Sequence, residues 1–149
     1  MVFKMDSSNF DYIAKVKNEI NDIAKMPILG VKSEVSIQSK YLQALHGLEG
    51  YSHIIIIGYL HKINEKPSKK LITHPNGDTS LPKQGLFALR GRRPNLISFT
   101  VCKLLSINNV TIIVDKLDLL NETPILDVKP YLPFYDSIEN ATMPKWTYS

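Results

Sequence analysis

Arg90, Arg92 and Arg93 crowd a short segment between Phe87 and Pro94. A planar guanidinium clamps a carboxylate or phosphate through two parallel hydrogen bonds, so an ordered arginine turn suits an anionic group. A second polar cluster, Asn121, Glu122, Thr123 and Pro124, has the composition of a turn. Either Pro124 simply starts a strand and Thr123 supplies a local backbone bond, or the loop touches a ligand. Asp127 and Lys129 flank Val128 and so share one face of a strand, where they either serve chemistry or neutralise each other as a buried salt bridge. His61 ends an apolar run and begins a basic one, a place for a cleft-facing imidazole or an ordinary structural hydrogen-bonder. The whole stretch from Gly85 to Asp136 interleaves cations, carboxylates and amides, which fits a small polar ligand better than a plain core.

The common chemistries lack their signatures. His46, His53, His61, His74 and Cys102 form no Cys-x-x-Cys or His-x-x-x-His pair, so no metal is expected. Neither Gly-x-Gly-x-x-Gly nor the phosphate-loop Gly-Lys-Ser/Thr occurs, so a nucleotide-like ligand must bind by another route. A hydrolase triad of Ser98, His61 and Asp127 has no Gly-x-Ser-x-Gly around its serine, and a chain of this length supplies those residue types in any case.

Charge is unevenly placed. Residues 1–60 carry six basic and six acidic groups, 61–93 carry eight and two, and 94–149 carry four and six. The middle segment is therefore a candidate contact for a polyanion such as RNA. Lys62, Lys66, Lys69 and Lys70 read more simply as the solvated face of a loop. The N-terminus has no apolar signal core, and a lone cysteine forms no intrachain disulfide. No apolar run approaches the ~18 residues of a membrane helix. A soluble, cytoplasmic chain without a membrane segment is expected.

Strands are needed to position these groups. Phe10–Ile20 alternates apolar and polar residues, as do Val31, Ser33, Val35 and Ile37 with Lys32, Glu34 and Ser36. His53–Leu60 is β-branched and aromatic enough for a strand covered on both faces. Leu86–Leu89, Ile97–Leu105, Thr111–Leu117 and Pro124–Val128 complete the set, with Asn108 and Asn109 as a tight turn. One short helix is predicted after Ser39 as N-cap, from Tyr41, Leu45 and Leu48 at spacings of four and three, ended by Gly47 and Gly50. Asn64–Gln84 is the longest loop. At 149 residues the chain is expected to be a single domain over 1–149, mainly β, a closed or nearly closed β-barrel with a short helix and long loops.

Three segments carry a family likeness: Gly85 to Arg90 with Arg93, Pro94 and Asn95; Leu117-Asp118 with Thr123 through Tyr131; and Leu48 through His53 with the strand ending at His61. They resemble the TsaA-like, or YaeB-like, family of S-adenosylmethionine-dependent tRNA methyltransferases, whose motifs read approximately GxFATRSPxRPNPIGLS and LDxxDGTPVLDIKPY. In this chain Leu96 stands for a proline of the first motif, and Glu122 for the glycine of the second. The resemblance implies a barrel that binds S-adenosylmethionine, commonly as a homodimer, and methylates N6 of N6-threonylcarbamoyladenosine at position 37 in the tRNA anticodon loop. By position it implies cofactor contacts at His61, Lys62, Arg90, Phe99, Asn121, Glu122, Thr123 and Pro124. Arg90 would take the carboxylate and the acidic turn would face the sulfonium. Asp127 and Tyr131 are the candidate proton acceptors, and Arg92, Arg93, Asn95, Lys69 and Lys70 the candidate RNA contacts. The alternative is a noncatalytic module that kept the barrel for binding.

Overall fold

The computed structural model describes residues 9–63 and 70–148. Six strands close a barrel in the order β1 (Ala14–Lys17), β2 (Val31–Ile37), β7 (Thr111–Leu117), β6 (Ile97–Asn108), β3 (His53–Tyr59) and β8 (Pro124–Pro130), which returns to β1. Every pairing in the barrel is antiparallel, and closure gives each of its six strands two neighbours. Outside the barrel, β4 (Ile72–Thr73) pairs with β5 (Gln84–Gly85) in a small ribbon within the expected long loop. A short α1 (Pro133–Asp136) follows β8.

Alternation decides what faces inward. Val16, Val35, Ile54, Ile56, Cys102, Ile112, Val114, Leu117 and Ile125 are fully buried and fill the barrel. Burying each large aliphatic side chain is worth about 1.5–3 kcal/mol over leaving it exposed. In β3, Ile54 and Ile56 point in while Ile55, on the other face, is also buried, as expected of a strand covered on both sides. β6 and β7 meet in a hairpin whose Asn108 pairs with Thr111, and Asn109 takes φ 53, a left-handed value that asparagine tolerates.

Four local expectations are corrected. The strand in Phe10–Ile20 is confined to Ala14–Lys17. The segment after Ser39 is not an α-helix but two 3₁₀ segments, Ser39–Leu45 and Leu48–Gly50, and its N-cap position is Gln38, with no side-chain cap bond. Gly47, at φ 88, breaks the run, and only Leu45 of it is buried. Leu86–Leu89 is not a strand. It forms the 3₁₀ turn Leu86–Ala88, in which Leu86 alone of the apolar residues is buried. Finally, Lys129 Nζ and Asp127 Oδ2 do pair at 3.2 Å, but with side chains 58% and 47% exposed, so the bridge is not buried.

Candidate functional site

Because the strands alternate in direction, β1, β3 and β7 end at the same mouth of the barrel where β2, β6 and β8 begin. That geometry gathers His61 and Lys62 after β3, the arginine turn and Phe99 at the start of β6, and Asn121–Pro124 before β8. Gly58 marks how closely these parts meet. A Cβ there would lie 2.9 Å from both Leu119 Cδ1 and Ser98 Oγ and 3.4 Å from the Thr123 methyl. Gly58 N donates to Ser98 Oγ at 3.1 Å, which ties β3 to β6 beside the acidic turn.

Arg90 and Phe99 form one unit. Arg90 Nη2 donates to Phe99 O at 3.0 Å, and the guanidinium carbon lies 5.9 Å from the Phe99 ring centroid. Arg90 is exposed, and a guanidinium has five N–H donors, so it keeps hydrogen-bonding capacity for an anion. Arg93 is spent differently: it is half-buried, its Nη1 donates to Leu86 O at 3.0 Å and also to Leu89 O, and it stacks 5.5 Å over Phe87. It therefore builds the turn that Arg90 and the exposed Arg92 occupy. Leu96 closes this turn, buried, at φ 51. Proline cannot take that φ, so the residue replacing the family's proline follows a different local path.

The acidic turn offers oxygen. Its N–H groups are committed to protein carbonyls: Asn121 N to Ile20 O at 2.8 Å, Glu122 N to Val16 O at 2.8 Å and Thr123 N to Leu120 O at 3.2 Å. Buried Thr123 also donates Oγ1 to Leu120 O at 2.7 Å. Thr123 O in turn accepts from Val16 N at 3.0 Å, and the turn's one charged group is the Glu122 carboxylate, which pairs with Lys15 at 2.9 Å. Glu122 sits at φ 68, the left-handed region that the family's glycine enters freely. The hydrogen bond from Lys15 holds the exposed Glu122 carboxyl below its ordinary range.

His61 is turned back on its strand by its N–H to Tyr59 O at 2.8 Å. Burial, then the charge of Lys62, push its pKa below the ordinary 6.5, while Glu122 opposes them. The imidazole is thus neutral at pH 7. Lys62 Nζ donates to Asn21 O at 2.8 Å.

Asp127 pairs with Ile57, which pairs with Phe99, so the three lie in one row on the outer face. With strands about 4.8 Å apart, Asp127 is roughly 10 Å from Phe99 across the sheet. Tyr131 is not brought to this mouth. Its N–H donates to His53 O at 3.1 Å at the start of β3, and its ring meets His53 edge-on at 6.3 Å. At about 3.3 Å per residue it stands over 20 Å along the strand from His61, so within one chain it shares no site with the cofactor candidates. Asn95 and Lys70 are exposed, and Lys69 lies outside the described residues. Among the described residues no cluster of metal-ligating side chains occurs, and Cys102, with its thiol pushed up to about 12 by burial, is chemically quiet. No described helix is long and apolar enough to cross a membrane.

Sequence reasoning passed over Asn18 and Asn21, which hold the acidic turn and Lys62 from the loop after β1. Their only signal was asparagine in a polar loop, which is common and unspecific.

A small antiparallel barrel with an arginine-bearing turn and an oxygen-lined turn at one mouth defines a class of domain. Residues 16–137 match the family described as tRNA-methyltransferase O N-terminal domain, and the chain belongs to that family. It is 36% identical over 97 residues to a probable S-adenosyl-L-methionine-binding protein of Methanocaldococcus jannaschii, covering 64% of this chain and 77% of that one. It is 35% identical to a human tRNA (adenine(37)-N6)-methyltransferase, covering 68% of this chain and 23% of that protein. The Escherichia coli protein of the same name is 28% identical over 93% of this chain and 63% of its own length. A crystal structure of TrmO superimposes with a TM-score of 0.75 at 23% identity, over 93% of this chain and 64% of that one. The fold is therefore shared, while the chain spans less than two thirds of these methyltransferases.

Proposed function

We propose that this protein is an S-adenosylmethionine-dependent methyltransferase acting on adenine N6 in tRNA, with N6-threonylcarbamoyladenosine at position 37 as the acceptor. The observation that carries the reading is the split polarity of the barrel mouth: spare guanidinium donors at Arg90 on one side, and on the other a turn at Asn121–Pro124 whose backbone N–H groups are committed and which carries the Glu122 carboxylate. That donor set fits a ligand with a carboxylate at one end and a cationic centre elsewhere. When bound, S-adenosylmethionine supplies an electrophilic methyl on a sulfonium.

The chain's own residues have distinct tasks. Arg90 holds the carboxylate and is itself oriented by Phe99. Neutral His61 with Lys62 borders the same side, and the turn carbonyls and Glu122 favour positive charge. An adenine amine is a weak nucleophile that must be aligned and must lose a proton late. Asp127, half-exposed in the Phe99 row, is the acceptor for that proton.

Arg92, Asn95 and Lys70, with Lys69 and the turn built by Arg93, form the RNA contact. An anticodon-loop base is single-stranded, so unstacking it costs little. The outward residues of β6, Ile97, Phe99 and Val101, are 43%, 52% and 39% exposed, and this apolar strip supports a homodimer. We place the protein in the cytoplasm, where tRNA is its substrate, with residues 1–149 as one barrel domain.

The test is transfer of labelled methyl from S-adenosylmethionine to tRNA pools with and without the threonylcarbamoyl modification. Label in adenosine of the modified pool alone supports the acceptor named here. Label in both pools keeps the methyltransferase and removes that specificity. Saturable cofactor binding with no transfer to either pool favours the noncatalytic binding module, the reading suggested by Glu122 in a position built for glycine.

A further inference from the structure

β3 and β8 are last paired at Gly58 and Ile125. Beyond that pair, the turn is bonded to β1 through Val16 and the chain before His61 is bonded to Leu96 O, and the loop after β1 reaches both segments. Asn18 Nδ2 donates to Leu119 O and to Ser33 Oγ, each at 2.9 Å, while Asn18 Oδ1 accepts from Ile20 N at 3.0 Å. Asn18 N donates to Asn121 Oδ1 at 3.2 Å, and Asn121 Nδ2 donates to Asn21 Oδ1 at 3.2 Å. Both ends of the Asn121 amide are thus held by this loop. The backbone carbonyl of Asn21 accepts from Lys62 Nζ at 2.8 Å, so one residue grips the two halves of the site at once.

We propose that Asn21, anchored through Asn18, is a positioning residue that sets the separation between the His61-Lys62 half of the site and the oxygen-lined half, Asn121–Pro124. The identity of the ligand rests on the S-adenosylmethionine reading above; the clamp itself does not. A ligand that spans both halves feels their separation, whereas a fragment that fills one half does not.

The experiment uses the full chain and two substitutions. Asn21→Ala removes the acceptor of the Asn121 bond and leaves the backbone carbonyl to Lys62. Asn21→Asp keeps an acceptor oxygen in the same place. Titration with S-adenosylmethionine and with 5′-methylthioadenosine, which lacks the amino-acid end, is run on each. For Asn21→Ala the expected result is about tenfold weaker binding of the full ligand, the scale of one hydrogen bond, with the fragment unchanged. Asn21→Asp restores the full ligand. Amide exchange in the free protein reads the clamp independently: Asn121 exchanges faster in Asn21→Ala and recovers in Asn21→Asp.

Equal loss for ligand and fragment would overturn the proposal, as would failure of Asn21→Asp to rescue, or unchanged affinity together with unchanged exchange. If the parent protein binds neither compound, the cofactor reading fails, and the exchange comparison alone then upholds or rejects the clamp.

Discussion

At the scale of single residues, the charge of His61 is set by burial and by two charged neighbours. Its folded pKa lies below the ordinary 6.5 because of burial and Lys62. The unfolded chain therefore takes up the proton first as pH falls. The stability tied to neutral His61 is full above about 6.5 and declines as the pH falls below it. Glu122 raises the His61 value, so Glu122→Gln lowers it further, and Lys62→Met moves it up. A proton NMR titration of the imidazole resolves both directions, and a shift of the opposite sign in either variant contradicts the described arrangement. Glu122 obeys the other rule: its depressed folded value contributes stability that is present above its ordinary 4.5 and lost as pH falls through the folded value. Being exposed and paired with an exposed lysine, it adds only a weak effect.

At the scale of elements, much was readable because a barrel strand writes its pleat into the sequence. Val31–Ile37 alternates as expected, with Ser33, Val35 and Ile37 inward, and the Asn108-Asn109 turn announces its hairpin. The errors came where a local pattern had two solutions. Tyr41, Leu45 and Leu48 sit at α-helical spacing, yet tight 3₁₀ turns with a left-handed Gly47 between them also bring apolar residues to the barrel. Leu86–Leu89 looked like a strand because it is apolar, but Phe87 is 80% exposed while Leu86 is buried, and the run coils rather than pairs. The cofactor candidates are legible only through the family resemblance, and the Asn18 and Asn21 contacts are not legible at all, because their partners lie roughly a hundred residues away in Leu119 and Asn121.

Gly30 tests the same scale. At φ 72, a Cβ there would fall 2.4 Å from the Leu117 carbonyl carbon, where β7 runs into the acidic turn. Backbone cannot yield as a flexible side chain does, so Gly30→Ala is expected to cost about 2–4 kcal/mol. Urea unfolding measures it, and a loss under about 0.5 kcal/mol, the range of neutral surface changes, would contradict the close approach.

At the scale of the whole molecule, the barrel spends its inner face on the core and leaves an apolar strip outside, where Ile97, Phe99 and Val101 follow one another along β6. Exposed apolar side chains in a continuous row favour association. Sedimentation of the protein is expected to show a dimer, and Val101→Asp to shift it to monomer. A monomeric parent protein would remove the homodimer from the account. Phe99 belongs both to this strip and to the Arg90 unit, so association and ligand binding are expected to affect each other.

S-adenosylmethionine is proposed to bind at the barrel mouth between the Arg90 side and the acidic turn. Isothermal titration of the folded, cofactor-free protein, alongside Arg90→Ala, tests it most directly. Saturable binding near one site per chain is expected, with a loss of roughly 10- to 100-fold in Arg90→Ala, the range of a charge-assisted hydrogen bond, and the fold intact. No binding by the parent protein, or equal affinity in the variant, would contradict it.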